Sequence, residues 1–103
     1  MSSLLYNIQN VVSQANAALE AVHGKSYEVG CIPCLLYVAS GGSLDWALGE
    51  AGIPYSMAME LRDTGLYGFL LPPEQIIPTG EETWAFHKSA ARQILEEFGA
   101  GEI

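Results

Sequence analysis

Residues 53–61, IPYSMAMEL, alternate in bulk along the chain. Tyr55, Met57, Met59 and Leu61 fall on one face, and Ser56, Ala58 and Glu60 fall on the other. A period of two is the signature of a β-strand rather than a helix. The run therefore reads as a strand from about Ile53 to Leu61. Glu60 is the single carboxylate of the run, set on the small-residue face just before the loop RDTGLYG. A lone acid at a strand end is most often solvated or paired with an arginine, and Arg62 stands close by in sequence. The alternative is an acid placed among small side chains because something else must fit beside it.

The rest of the chain reads as helices around that strand. Leu4, Ile8, Val11, Ala15, Leu19 and Val22 recur at helical spacing, predicting an amphipathic helix over 3–23 that Ser2 or Ser3 caps and Gly24 ends. Residues 27–38 carry β-branched and aromatic side chains but are interrupted by Gly30 and Pro33, predicting a bent or broken strand. Ser43 is a suitable N-cap for a short helix to about Gly49, and Gly52 punctuates before the next strand. Gly65 and Gly68 mark a loop, and Pro72-Pro73 holds the following stretch out of helix. Thr79-Gly80-Glu81-Glu82 fits a capping box, Thr at N-cap and Glu at N3. It opens a last helix with Trp84, Ala91, Leu95 and Phe98 as its stripe and Gly99 at its end. The predicted order is helix, strand, short helix, strand, long helix, an α/β arrangement within one domain.

At 103 residues the chain is one domain at most. Twelve acidic against four basic residues give a net charge of −8, which argues against nucleic-acid backbones and anionic membranes as partners. No stretch is long and apolar enough to span a bilayer. The opening MSSLLYNIQN has neither the basic region nor the continuous apolar run of a signal peptide. Half of the residues are hydrophobic, a high share for so small an interior, and this points to apolar surface destined for another chain or another part of a larger fold.

Cys31-Ile32-Pro33-Cys34 is followed by the strand-like LLYVAS rather than by the helix of a redox motif, and no second cysteine pair completes a zinc site. In an extended chain the two Cα atoms would lie about 10 Å apart, beyond the roughly 7 Å reach of a disulfide. Only a tight turn at Pro33 joins them, so structural thiols are expected. His23 follows a helix C-terminus and His87 lies in the last helix beside Lys88; neither has dense metal-ligand spacing. No metal ligand is assigned in this chain.

The stretch ASGGSLDWALGEAGIPYSMAMELRDTGLYGFLLPPEQIIPTGEETW, residues 39–84, closely resembles the C-terminal third of zinc metallocarboxypeptidases of the pancreatic A/B type. Its motifs are SGGSxDW and the long run from GIxYS through ELRDTGxYGFLLP to QIIPT. The first helix and KSYEVG resemble the same family. The resemblance implies the C-terminal part of a three-layer carboxypeptidase-like fold, with helices packed on a partial mixed β-sheet, and makes residues 1–103 an incomplete catalytic domain. By the same resemblance, Glu60 matches the catalytic general base, which takes a proton from a zinc-polarised water and passes it to the leaving amine. Tyr37 matches the mobile tyrosine that covers bound substrate, and Phe69 an aromatic near it. Leu44 matches the base of the specificity pocket, where leucine rather than aspartate implies apolar or aromatic terminal residues. Gly42 and Ala58 keep that pocket open.

Several features depart from the family pattern. The spacing from Trp46 to Tyr55 is one residue longer than the family's, and Pro54 replaces a basic residue. The family's zinc ligands, an HxxE pair and a later histidine, and the arginines that grip the substrate's terminal carboxylate have no counterpart here. Zinc is thus expected in the full-length family but not bound tightly by this chain alone, which is expected to be catalytically incompetent. The resemblance implies peptide C-termini as substrate, the missing N-terminal part or a homodimer as partner, and secretion. The alternative is a non-enzymatic half-domain acting as a self-assembling or partner-binding module.

Overall fold

Two 22-residue helices carry most of the packing. The computed structural model describes residues 2–31, 41–63 and 65–97, with residues 2–7 described by backbone alone. Helix α1 spans Ser2–His23, α2 spans Ser43–Gly49, a 3-10 turn spans Pro73–Gln75, and α3 spans Ile76–Glu97.

The middle of the stripe expected for α1 is buried. Val11, Ala15 and Leu19 face inward, with Leu19 at 0% exposure, while Val22 at the end of the helix is exposed. Gly24 ends α1 as expected. Its φ of +77° lies in the left-handed region that favours glycine, and its N–H donates to the Glu20 carbonyl at 2.8 Å. The chain then turns back along the helix, held by Asn16. Asn16 Nδ2 donates to the Tyr27 carbonyl at 3.0 Å, and its Oδ1 accepts from the Tyr27 N–H at 3.1 Å.

Helix α3 packs against α1. Gln93 Nε2 donates to the Val11 carbonyl at 3.2 Å, and at the other end His23 Nε2 lies 2.9 Å from Glu81 Oε1. These pairings run in opposite directions along the two helices, which are therefore antiparallel. The apolar core between them is Val11, Ala15, Leu19, Phe86 and Ala90.

Helix α3 begins earlier than its capping-box motif implies. Pro73 occupies the first position of the 3-10 turn that leads into Ile76, so the proline pair starts the helical path rather than blocking it. A proline at that point gives up only an N–H that has no intrahelical partner anyway. Thr79 and Glu82 consequently lie inside the helix, and their side chains do not cap it. Thr79 Oγ1 donates to the Gln75 carbonyl, and Glu82 is fully buried. The inward face of α3 is Thr79, Glu82, Phe86 and Ala90. Trp84 and Leu95, expected on that face, are exposed, and Phe98 lies outside the described residues. Helix α2 has the expected extent, with Gly42 rather than Ser43 at its N-cap.

The expected sheet is absent: no β-strand occurs among the described residues, which corrects the α/β reading of helices on a partial mixed sheet. Residues 27–31 are irregular, and 32–38 lie outside the described residues. A strand is defined by its hydrogen-bonded neighbour, and among the described residues none supplies a ladder to residues 56–61. The alternation nonetheless persists over 57–60, although Leu61, expected on the methionine face, is exposed. Tyr55, Met57 and Met59 pack against the α1–α3 core, whereas Ala58 and Glu60 are exposed. The side-chain pattern survives because helices can cover one face of an extended segment without supplying a ladder.

Candidate active site

Glu60 stands at the end of the extended segment, on the face turned away from the helices. Its neighbours Met59 and Met57 are held by the core, which fixes the opposite face outward. Among the described residues the Glu60 side chain makes no hydrogen bond or ion pair. The arginine pairing raised by the sequence does not form. Arg62 turns instead to Glu82 on α3, with Nε donating to Oε2 at 2.9 Å and Nη2 to Oε1 at 2.8 Å.

This fork is buried: the Arg62 side chain is 10% exposed and that of Glu82 is 0% exposed. Arg62 Nη1 also donates to Gln75 Oε1 at 3.3 Å. The hydrogen bond to Glu82 raises the Arg62 pKa above its ordinary value, and the carboxylate's charge adds to the effect, while burial opposes it. Tyr27 lies beside this pair. Its hydroxyl oxygen is buried, with no partner at hydrogen-bonding geometry among the described residues. Burial raises its pKa first and the Glu82 charge second; the nearby Arg62 backbone N–H and guanidinium pull the other way.

The remaining expected site residues are dispersed. Phe69 is fully exposed in the turn after Gly65, at a relative exposure of 105%. That turn is organised by Asp63, whose Oδ1 accepts the Gly65 N–H at 2.7 Å, and by Gly65 and Gly68 at φ of +109° and +61°. Gly42 and Leu44 belong to the start of α2, which packs against neither α1 nor α3. Ala58 is exposed next to Glu60 in sequence, and Tyr37 lies outside the described residues. A groove of about 350 Å³ does form beside α3, lined by Met57, Met59, Leu61, Thr83, Phe86, His87 and Ala90. It lies on the methionine face of the segment, and among the described residues none of those expected at the site lines it.

The two histidines do not converge. His23 faces Glu81, and His87 Nδ1 donates to the Thr83 carbonyl of its own helix at 2.7 Å. Among the described residues no group of three or more His, Cys, Asp or Glu side chains is arranged to hold a metal ion. These donors do not fit a zinc centre. Cys31 is disulfide-bonded, which corrects the expectation of a structural thiol there; Cys34 lies outside the described residues. No helix of the described residues is long and apolar enough to cross a membrane.

The residue that sequence reasoning missed is Glu82, assigned to a helix cap. Thr79, Glu82, Phe86 and Ala90 stand at i, i+3, i+7 and i+11, the spacing of one helix face. Extending the helix back to Pro73 would have exposed that stripe and placed an acid within it.

Comparison with known proteins joins these features to one family. The family model described as zinc carboxypeptidase matches residues 4–86. Carboxypeptidase A2 of Mus musculus is 57% identical over 89 residues, covering 86% of this chain and 21% of its own length. Carboxypeptidase B of Astacus astacus is 49% identical over 92 residues, covering 89% of this chain and 30% of its own. Carboxypeptidase A1 of Bos taurus is 53% identical over 77 residues, covering 75% of this chain and 18% of its own. The chain thus spans less than a third of the length of these relatives. With a family match over most of its residues and relatives near half identity on both the A and B sides, this chain belongs to the zinc carboxypeptidase family.

Proposed function

We propose that this chain is the C-terminal segment of a carboxypeptidase catalytic domain, with Glu60 as the general base for hydrolysis at peptide C-termini. Tyr37, Gly42, Leu44, Ala58 and Phe69 are its contribution to the surroundings of the substrate's last residue. The observation that carries this reading is the division of labour at 57–60, where Met57 and Met59 anchor the segment while Glu60 stays exposed and unpaired among the described residues. A general base must be free to take a proton at hydrogen-bond distance from the reacting group. An acid tied to Arg62 would be poorly suited to that task, and Arg62 is tied elsewhere.

Leu44 at the pocket base favours apolar or aromatic terminal residues. The metal and the groups that hold the substrate's terminal carboxylate come from another part of the domain, so the chain alone is not a competent peptidase. A secreted setting is supported by the disulfide at Cys31, since such bonds persist in oxidising compartments. The test is release of C-terminal phenylalanine from a short peptide by the pure chain, with zinc added and then chelated. No release is expected. Chelator-sensitive release would overturn the claim of incompetence.

One observation favours a second reading, that of a self-assembling or partner-binding module. Leu66, Phe69, Leu70, Ile76, Ile77 and Trp84 are all more than half exposed, at 82%, 105%, 84%, 67%, 71% and 63%. Apolar surface on this scale is more typical of an interface than of a free monomer. Size-exclusion chromatography with light scattering separates the two readings: a stable dimer favours the module, a monomer the segment.

A further inference from the structure

Among the described residues Glu60 has no side-chain partner, and none of them forms a strand beside its segment. The described restraints on the position of its carboxylate lie on the chain to either side. On one side Met57 and Met59 pack against the α1–α3 core. On the other, two residues beyond Glu60, Arg62 is gripped by Glu82 through two parallel bonds and by Gln75 through a third. Immediately afterwards the chain enters a turn in which Gly65 and Gly68 take left-handed conformations and Leu66, Phe69 and Leu70 are exposed. The fork thus marks the boundary between a held segment and an exposed loop.

We propose that the buried Arg62–Glu82 fork is the positioning device for Glu60, fixing both the place and the rotation of the backbone that presents the acid. The choice of side chains supports this. A planar guanidinium bound at two nitrogens to both oxygens of one carboxylate resists rotation as well as translation, whereas a lysine ammonium is a point charge that would hold distance only. Glu82 is itself rigidly placed, fully buried on the inward face of a long helix between Thr79 and Phe86. Arg62 and Glu82 act through the backbone and do not touch a substrate; they are positioning residues. Calling their target a reacting acid rests on the function proposed above, but the mechanical claim does not.

The experiment is a measurement of backbone amide order parameters on the isotope-labelled full chain, in the wild type, Glu82→Gln and Arg62→Lys. In the wild type the Glu60 amide should be as ordered as those of Leu19 and Phe86, near about 0.85. Arg62→Lys keeps a charge opposite Glu82, so the helix pair should stay folded while the Glu60 value falls below about 0.6. Glu82→Gln should do the same or unfold the chain, and if it unfolds, Arg62→Lys decides alone. A merely stabilising pair would loosen Leu19, Phe86 and Glu60 together. Three results would overturn the proposal: a mobile Glu60 in the wild type, an ordered Glu60 in Arg62→Lys, or loosening shared equally with the helix core. None depends on peptidase activity, so failure here is distinct from failure of the proposed function.

Discussion

Replacing Tyr27 by phenylalanine should stabilise the chain. The Tyr27 hydroxyl oxygen is buried without a hydrogen-bond partner among the described residues, while Tyr27 itself packs against the α1–α3 core. In the unfolded chain water satisfies that hydroxyl, and folding desolvates it with only the pull of the Arg62 backbone N–H in return. Leaving such a group unsatisfied costs about 1–3 kcal/mol. Phenylalanine keeps the ring and removes the cost. The Arg62 backbone N–H pulls on the hydroxyl weakly, so the lower end of the range applies, about 1 kcal/mol of gain. For a domain of this size that corresponds to a rise of about 4–8 °C in melting temperature. The backbone clasp from Asn16 is untouched, because it engages the Tyr27 N–H and C=O rather than the side chain.

The pH profile supplies an internal check. The folded pKa of Tyr27 is raised above its ordinary value of 10.0, first by burial and then by the Glu82 charge. A raised folded pKa means that the stability linked to this group is fully present below pH 10.0 and is lost as pH rises through the folded value. The advantage of Tyr27→Phe should therefore be constant through the neutral range and widen above pH 10.0. Urea unfolding followed by far-ultraviolet circular dichroism, repeated at several pH values, measures both effects. A phenylalanine variant less stable than the wild type at neutral pH would refute the reasoning, since it would mean that the hydroxyl is satisfied in the folded state.

Other perturbations separate the core from the exposed surface. Leu19→Ala empties a fully buried position between the two long helices and should cost about 2–5 kcal/mol in urea unfolding. Gly24→Ala forces a Cβ into the left-handed region at the end of α1 and should cost about 1 kcal/mol, although no atom would clash with it, as thermal melts can show. Asn16→Ala strips both hydrogen bonds from the Tyr27 backbone and should cost about 1–3 kcal/mol, with faster amide exchange at Tyr27 than at Leu19. Phe69→Ser alters a fully exposed side chain and should shift the stability of a monomeric chain by no more than about 0.5 kcal/mol; a larger loss would point to a self-associated form that buries it.

What could be read locally was read well. The α1 stripe, its end at Gly24, the extent of α2 and the glycines of the 65–68 turn all follow from side chains or dihedral demands within a few residues. The outward setting of Glu60 follows in the same way, because a period of two puts it opposite Met57 and Met59 whichever layer covers those methionines. Family membership too was legible, carried by a long continuous motif rather than by scattered positions.

The failures arose where a residue had two local uses and distant packing chose between them. A proline pair can stop a helix or begin one, and Thr79 with Glu82 can cap a helix or line its buried face. Contact with α1 settled both, drawing Phe86 and Ala90 inward and carrying Glu82 with them. The sheet was misjudged for a related reason, since alternation encodes two unlike faces but not a hydrogen-bonded neighbour. By itself, then, the sequence determined the family, the helix periodicity and the outward face of Glu60, all properties of short-range spacing. Only the tertiary structure decided that Arg62 would pair with Glu82 rather than Glu60, because that choice depends on how α3 sits against α1 and on burying both charges together away from water.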